Sequence, residues 1–467
     1  MHNKFGLDKT SFTRLINEAL RRGGEFADVF FQYSINSEVI IQEDIVKNTS
    51  NSISLGIGIR VIDGERTGYA FTNDLSWGKM VETAHTASII ANSQSKINIR
   101  GINRQQLPFN LYDYKTHLID NSTKTQINLL RRAYDAAKNF DTKIEKVTAT
   151  LNSSLTYITI ANSEGLMISD TRPQVRLIIS STANDGKTKS TAMANNGGRY
   201  NIDFFINNVT PEQIGKQASE EAIILLDARN APMGEIPVVL DSFESGVMIH
   251  EAIGHPLELD SIRNKTSVMW DKFGQMVANP IVTIYDNPNI AGFRGSYNID
   301  DEGMVSTETL LVEKGRLVGF MNDFLNAKLM NHQRNAHGRR QSYRYPPIPR
   351  MSNTILAPGE HNPQEIIESV KFGILAKTFQ GGMVNSTGKF TFSINLGYLI
   401  ENGKITAPIK NATLIGSNLE ILKRIEMVGN DTQFFLGTCG KNGQSVPVTC
   451  GTPTLKISKM TVGGTNE

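Results

Sequence analysis

Two histidines and an acid fall within six residues at His250-Glu251-Ala252-Ile253-Gly254-His255, inside an apolar run over residues 247–260 that reads as a helix. The opening pair matches the H-E-x-x-H pattern of zinc peptidases, in which histidines at i and i+4 share one helix face and the glutamate works a bound water. Here the second histidine comes one residue late. At about 100° per residue, five steps leave the imidazoles roughly 140° apart around a regular helix, too far for both to hold one ion. A π-bulge absorbs one extra residue and often marks a functional site. Gly254 is the position best able to take that distortion, and Pro256 limits how the turn continues. The spacing therefore predicts either a locally distorted metal-binding helix or a core helix with two incidental histidines.

A catalytic zinc takes three protein ligands and keeps one open position, so a third donor has to come from elsewhere. Glu258 and Asp260 are near in sequence, Asp300-Asp301-Glu302 is an acidic cluster, and the only cysteines, Cys439 and Cys450, offer thiols. Cys439 is the favoured thiol, because the glycines in Gly437-Thr438-Cys439-Gly440-Lys441-Asn442-Gly443 let the backbone turn sharply and present the sulfur. No further histidine follows at a short zincin-like spacing. Two cysteines in 467 residues exclude a disulfide framework and fit a reducing compartment.

A net charge of +2, from 48 basic and 46 acidic residues, gives no polyelectrolyte signal for nucleic acid or an anionic membrane. Small or peptidic partners are expected. Residues 334–350 interleave Arg334, Arg339, Arg340, Arg344 and Arg350 with Tyr343 and Tyr345, a pattern a nucleic-acid surface would use. In a chain this close to neutral, contacts to substrate carboxylates or to a partner subunit are favoured over nucleic acid. The amino terminus has no apolar h-region and no stretch approaches 18 uninterrupted apolar residues, so a cytoplasmic protein without a membrane segment is expected.

The elements that position these residues follow from periodicity. Helices are predicted over 10–22, 76–92, 123–139 and 211–226, and Asp8 and Thr10 can cap the first. Strands are predicted at 27–34, 38–42, 53–62, 67–71, 144–152, 156–161, 166–170 and 174–181. Gly56-Ile57-Gly58 lies within a strand pattern and opens no helix, so it marks close backbone packing and not a dinucleotide fingerprint. A polar connection covers 94–114, and 228–236 reads as a linker. Beyond it, strands are expected at 237–240, 275–285, 305–312, 316–322, 389–400, 404–414 and 454–462, separated by glycine turns. The expected fold class is α+β. An α+β subdomain over 1–115 and a second over 116–230 set helices against antiparallel sheet, and a β-rich barrel or sandwich domain over 231–467 carries the His250 helix.

Several ordered motifs in the carboxyl-terminal half are unusual: the H-E-x-x-x-H at 250–255, Arg294-Gly295-Ser296 followed by Ile299-Asp300-Asp301-Glu302-Gly303, Gly338-Arg339-Arg340, and Pro349-Arg350-Met351. Tyr398-Leu399-Ile400-Glu401-Asn402-Gly403-Lys404, Val428-Gly429-Asn430-Asp431, Cys439-Gly440-Lys441 and Thr461-Val462-Gly463-Gly464 follow. On these the chain resembles the TldD/PmbA family of metallopeptidases, also described as modulators of DNA gyrase. The resemblance implies a mononuclear zinc site with ligands His250, His255 and Cys439, and Glu251 as the catalytic acid/base acting on water. It also implies unfolded or leader peptides as substrates. A homodimer is implied, or a heterodimer with a metal-free paralogue of the TldE/PmbA type, this chain being the metal-bearing kind. An extended peptide needs backbone partners, and Gly381-Gly382-Met383 is the candidate strand edge for β-augmentation, an ordinary glycine turn being the alternative. A non-catalytic binding protein acting on gyrase or another partner is the competing function, and another divalent ion could replace zinc.

Overall fold

The computed structural model describes residues 2–91, 99, 101–112, 123–200, 204–385 and 388–464. Strands predominate in an α+β architecture. Alternating apolar and polar residues produce β1 (Phe26–Gln42), β2 (Ile45–Asp63) and β3 (Arg66–Thr72), an antiparallel meander. On its other side β1 pairs with β4 (Ile144–Asn162), which leads to β5 (Leu166–Asn184) and β6 (Lys189–Gly198). Both amino-terminal blocks thus share one sheet. Helices α1 (Lys9–Ala19) and α2 (Trp77–Ser88) bury Phe12, Leu15, Met80 and Ala84 against Val29, Phe31 and Ile59. Helices α3 (Thr123–Lys138) and α4 (Pro211–Leu226) bury Leu130, Ala133, Ile214 and Ala218 against Val39, Leu151 and Leu177. Asp8 caps α1 by accepting the Ser11 N–H at 2.8 Å.

Several expected elements differ. Residues 27–34 and 38–42 belong to one strand, and the strand expected at 53–62 begins at Ile45. Backbone ladders hold these stretches where polar side chains such as Asn36 and Ser52 hide the strand pattern. Helix α2 ends at Ser88. Residue 92, much of the connection expected at 94–114 and the boundary expected at 115/116 lie outside the described residues.

The segment 228–236 is built into the fold: Arg229–Asn230 pairs with Ile409 and Lys410, and β7 (Gly234–Leu240) begins within it. After β7 come β8 (Asn353–Leu356), β9 (Phe372–Val384), β10 (Lys389–Glu401), β11 (Ala412–Ser417), β12 (Gln433–Lys441), β13 (Gln444–Thr452) and β14 (Leu455–Gly463). Five of these close a barrel in the order β9, β7, β14, β11, β10 and back to β9. The β12–β13 hairpin joins a second sheet through β8, with β12 at its edge. The strand expected at 275–285 shrinks to Ile284–Asp286, since Pro280 cannot donate to a ladder. That at 316–322 is only Arg316–Leu317, and 404–414 breaks at Asn411, whose φ is 58°.

Buried charges tie the halves together. Arg60 of β2 donates from Nε to Asp28 at 2.6 Å and lies 2.8 Å from Glu302. Arg172 of β5 pairs with Asp301 at 2.6 Å, and Arg340 donates to the Asp301 carbonyl at 3.0 Å. Asp300 accepts the N–H groups of Glu302, Met304 and Gly338. The 300–302 cluster, considered above as a ligand source, is therefore committed to the fold. Much of the arginine and tyrosine run at 334–350 also turns inward. Tyr343 packs on β2 so closely that a Cβ on Gly56 would meet its ring at 2.3 Å, which accounts for the glycines of Gly56-Ile57-Gly58. Among the described residues no helix is long and apolar enough to cross a membrane.

Candidate metal centre

From the end of β7 the chain turns into a helix over Gly246–Ile249, whose next turn, His250–Gly254, is π-helical. The His255 N–H reaches the His250 carbonyl, an i to i+5 bond. One residue is absorbed, and the two imidazoles converge with ring centroids 5.2 Å apart and planes at 84°. Gly254 serves packing as well as conformation, because a Cβ there would lie 1.7 Å from Met351 Sδ. Gly254→Ala is expected to cost about 1–3 kcal/mol by overpacking, and Met351→Ala about 2–5 kcal/mol by leaving a cavity. Combined, they should cost at least about 1 kcal/mol less than the sum in urea denaturation. Additivity within about 0.5 kcal/mol would show that this contact does not fix the glycine.

Cys439 reaches the same place from β12, its Sγ 3.4 Å from His255 Nε2. One donor atom each from His250, His255 and Cys439 lie within 4.8 Å of one another. Metal–ligand bonds of about 2.0–2.3 Å in tetrahedral array separate ligands by roughly 3.4–3.7 Å, so the sulfur–nitrogen distance fits without rearrangement. His250 Nδ1 is buried with no hydrogen-bond partner among the described residues, an unspent donor position in a protein interior. Two imidazoles and a thiol form a borderline-soft set suited to zinc.

Electrostatics favour the ligating form of the sulfur. Burial alone would raise the Cys439 pKa, but the adjacent His250 and His255 pull it well below the ordinary thiol range. Burial likewise opposes charge on His255, yet Glu258 and Cys439 push it up to about 10. Cys450, the other thiol, packs beside His250 from β13 and stands outside the set of three donors.

Glu258 is not a fourth donor. Its Oε2 accepts the His255 Nδ1 proton at 3.0 Å, which fixes the ring and aims Nε2 at the centre. Burial would raise the Glu258 pKa, but Lys441, His255 and Arg350 lower it to about 2. Lys441 Nζ lies 3.0 Å from Glu258 and 2.7 Å from Asp260, and Arg350 donates to the Cys439 carbonyl at 2.5 Å. Sequence reasoning missed Lys441 and Arg350 as supports. Their signal was a charge inside two of the motifs quoted above: Cys439-Gly440-Lys441 contains one and Pro349-Arg350-Met351 the other.

Glu251 sits on the open side, Oε2 4.0 Å from His255 Nε2, its side chain 19% exposed. With His255 it lines a cavity of about 700 Å³. Its lining includes Gly382, Met383 and Val384 of β9 and Thr438, Gly440 and Lys441 of β12. Strand β9 pairs with β7 only over residues 374–376, while its other edge runs with β10 to Val384. The β9 edge beyond Ala376 therefore faces the cleft without a strand partner among the described residues. Gly382 lines the cavity, whereas Gly381, at φ 139°, adjoins a register shift in the β9–β10 pairing and bends the strand.

Comparison with known proteins gives the same picture along the whole chain. Models of the PmbA/TldA metallopeptidase family match as domain 1 over residues 27–91, as the central domain over 116–226 and as the C-terminal domain over 233–464. The chain is 38% identical over 459 residues to the metalloprotease TldD homolog of Haemophilus influenzae, covering 95% of this chain and 94% of that protein. It is 26% identical over 458 residues to the zinc metalloprotease TldD homolog of Saccharolobus solfataricus, covering 97% and 99%. The crystal structure of a candidate modulator of a DNA gyrase from Thermotoga maritima shares the fold, with a TM-score of 0.78 at 21% identity over 99% of this chain and 100% of that one. With three domain models matched in order and a relative this similar from end to end, the chain belongs to the TldD/PmbA metallopeptidase family.

Proposed function

We propose that this chain is a zinc-dependent peptidase that hydrolyses unfolded or leader peptides, with His250, His255 and Cys439 as ligands and Glu251 as the catalytic acid/base. The observation that supports it most is the convergence of three donors within 4.8 Å beneath a cleft into which Glu251 opens. Bound there, zinc would supply Lewis acidity, polarising a peptide carbonyl and acidifying water. The side chains have separate tasks. Glu258 holds the His255 proton on Nδ1 and leaves Nε2 as a donor. Glu251 takes a proton from water and returns it to the leaving amine. The open β9 edge at 382–384 offers backbone partners to an extended peptide.

Zinc is the metal named for the Saccharolobus solfataricus relative, and two free cysteines suit a reducing cytoplasm. A dimer, with itself or with a metal-free paralogue, would enclose the cleft. The direct test is metal analysis of the purified chain with digestion of a disordered peptide. One zinc per chain is expected, with cleavage falling at least about 100-fold on chelation and returning with zinc. Stoichiometric metal with peptide binding but no cleavage would instead make the chain a binding protein, such as one acting on gyrase.

A further inference from the structure

Arg294-Gly295-Ser296, one of the motifs singled out in the sequence, takes no part in the donor set. Its arginine faces a second cavity, of about 440 Å³. The floor of that cavity is one face of the amino-terminal sheet. Cross-strand pairing sets Glu38, Asn152 and Arg176 in one row and Asn36, Ser154 and Gln174 in the next, so these side chains point the same way. Arg294, 9% exposed, closes the far side: Nε donates to the Gly437 carbonyl at 3.0 Å and Nη2 to Thr438 Oγ1 at 3.2 Å. Arg176 donates to Asn195 Oδ1 at 3.1 Å and to the Leu436 carbonyl at 3.3 Å.

Some guanidinium groups inside this protein meet carboxylates: Arg60 has Asp28 and Glu302, Arg172 has Asp170 and Asp301, and Arg340 has Asp28; the buried Arg199 and Arg339 are held by backbone carbonyls. Half-buried Arg176 and buried Arg294 likewise meet only neutral oxygens among the described residues, and these two line the cavity. Burial first, and then the charges of Arg176, Arg199 and Arg339, push Arg294 down to about 9. A desolvated charge without a counter-charge is costly, and a guanidinium cannot escape by losing its proton as lysine can. The one carboxylate lining the cavity, Glu38, is two strands from Arg176, roughly 10 Å at about 4.8 Å per strand, and is bonded by Asn48. An anion from outside would complete the site, and the fork geometry of two arginines suits a carboxylate.

We infer that this cavity binds a carboxylate of the substrate peptide, gripped by Arg176 and Arg294. The assignment rests on the peptidase reading and names what its substrate carries. Both arginines hold β12, which also walls the cleft of Glu251 through Thr438. From Leu436 to Cys439 is three residues, about 10 Å of extended strand, so the carboxylate lies about three residues along the peptide from the bond cleaved. It comes either from the peptide's own carboxyl terminus or from an Asp or Glu side chain.

The test is equilibrium binding of fluorescent octapeptides to the full-length, zinc-loaded chain carrying Glu251→Gln, at low salt. Three forms of one neutral sequence are compared: free carboxyl terminus, amidated terminus, and amidated with a single Asp moved along the chain. A carboxylate-bearing form should bind at least tenfold tighter than the plain amide. If the free terminus alone does so, the source is terminal; if Asp does so at one position, it is a side chain. Adding Arg176→Gln should abolish the difference. Gln174→Glu, which places an anion on the same face two residues from Arg176, should abolish it too while raising Tm, a combination no folding defect produces. Equal or undetectable binding of all forms, a difference that survives Arg176→Gln, or a change of oligomeric state in that variant, which would make the cavity a subunit contact, overturns the assignment. Turnover by the wild-type chain is scored separately. A carboxylate preference without any cleavage would sink the peptidase and keep the cavity, and cleavage without a preference would do the reverse.

Discussion

Glu251→Gln is expected to lower kcat for a disordered peptide by about 10²–10⁴-fold, the range assigned to a positioned acid/base, while zinc content and Tm stay at the wild-type values. The geometry separates these readouts. Glu251 lies outside the three-donor set and faces the cleft, so an isosteric amide removes its proton chemistry without touching the ligands or the core. KM should move little, because the proposed peptide contacts lie along β9 and β12. A variant that turns over at the wild-type rate would show that Glu251 handles no proton. One that loses its zinc would show that Glu251 is a ligand.

The largest stability effect is expected at Arg60, 1% exposed between Asp28 and Glu302. Arg60→Met leaves buried carboxylates uncompensated and should cost about 3–5 kcal/mol, read by urea denaturation. The loss should grow with pH. Burial, then the charge of Glu302, pushes Asp300 up to about 8 and Asp323 up to about 7. Both acids thus hold protons more tightly folded than unfolded, where they titrate near 4. Their contribution is present at low pH and is lost as pH rises through 7 and 8. The wild-type Tm is accordingly expected to fall between about pH 5 and pH 8, and Asp323→Asn should flatten that slope. A Tm that rises over this interval would mean that these acids are ionised throughout.

How much of this was legible in the sequence depends on the distance over which each residue acts. The five-residue gap between His250 and His255 is a local quantity, and the need for an absorbed residue near Gly254 follows from helix geometry alone; the π turn is where that reasoning puts it. Gly56 and Gly58 were also readable, since a strand glycine outside a turn signals something pressing on the backbone. Asp300, Asp301 and Glu302 were not. An acid that binds metal and one that neutralises a buried arginine are the same residue type, and only the fold shows Arg60 and Arg172 beside them. Glu258 looked like a ligand for the same reason, until Lys441 and His255 proved to be its partners. The long polar stretches of β1 and β2 escaped notice because backbone pairing sustains a strand where side chains give no pattern.

Barrel closure sets Leu240 beside Leu455 and so fastens the start of this domain to its last strand. Translation delivers His250 and Glu251 early, Cys439 late and Leu455–Gly463 later still. A chain still emerging from the ribosome therefore owns the histidine pair but lacks the sulfur and the closed scaffold that aims it. On the proposed reading, a peptidase acting on unfolded polypeptide would in this way be kept harmless while it is itself unfolded, a safeguard of timing set by chain order.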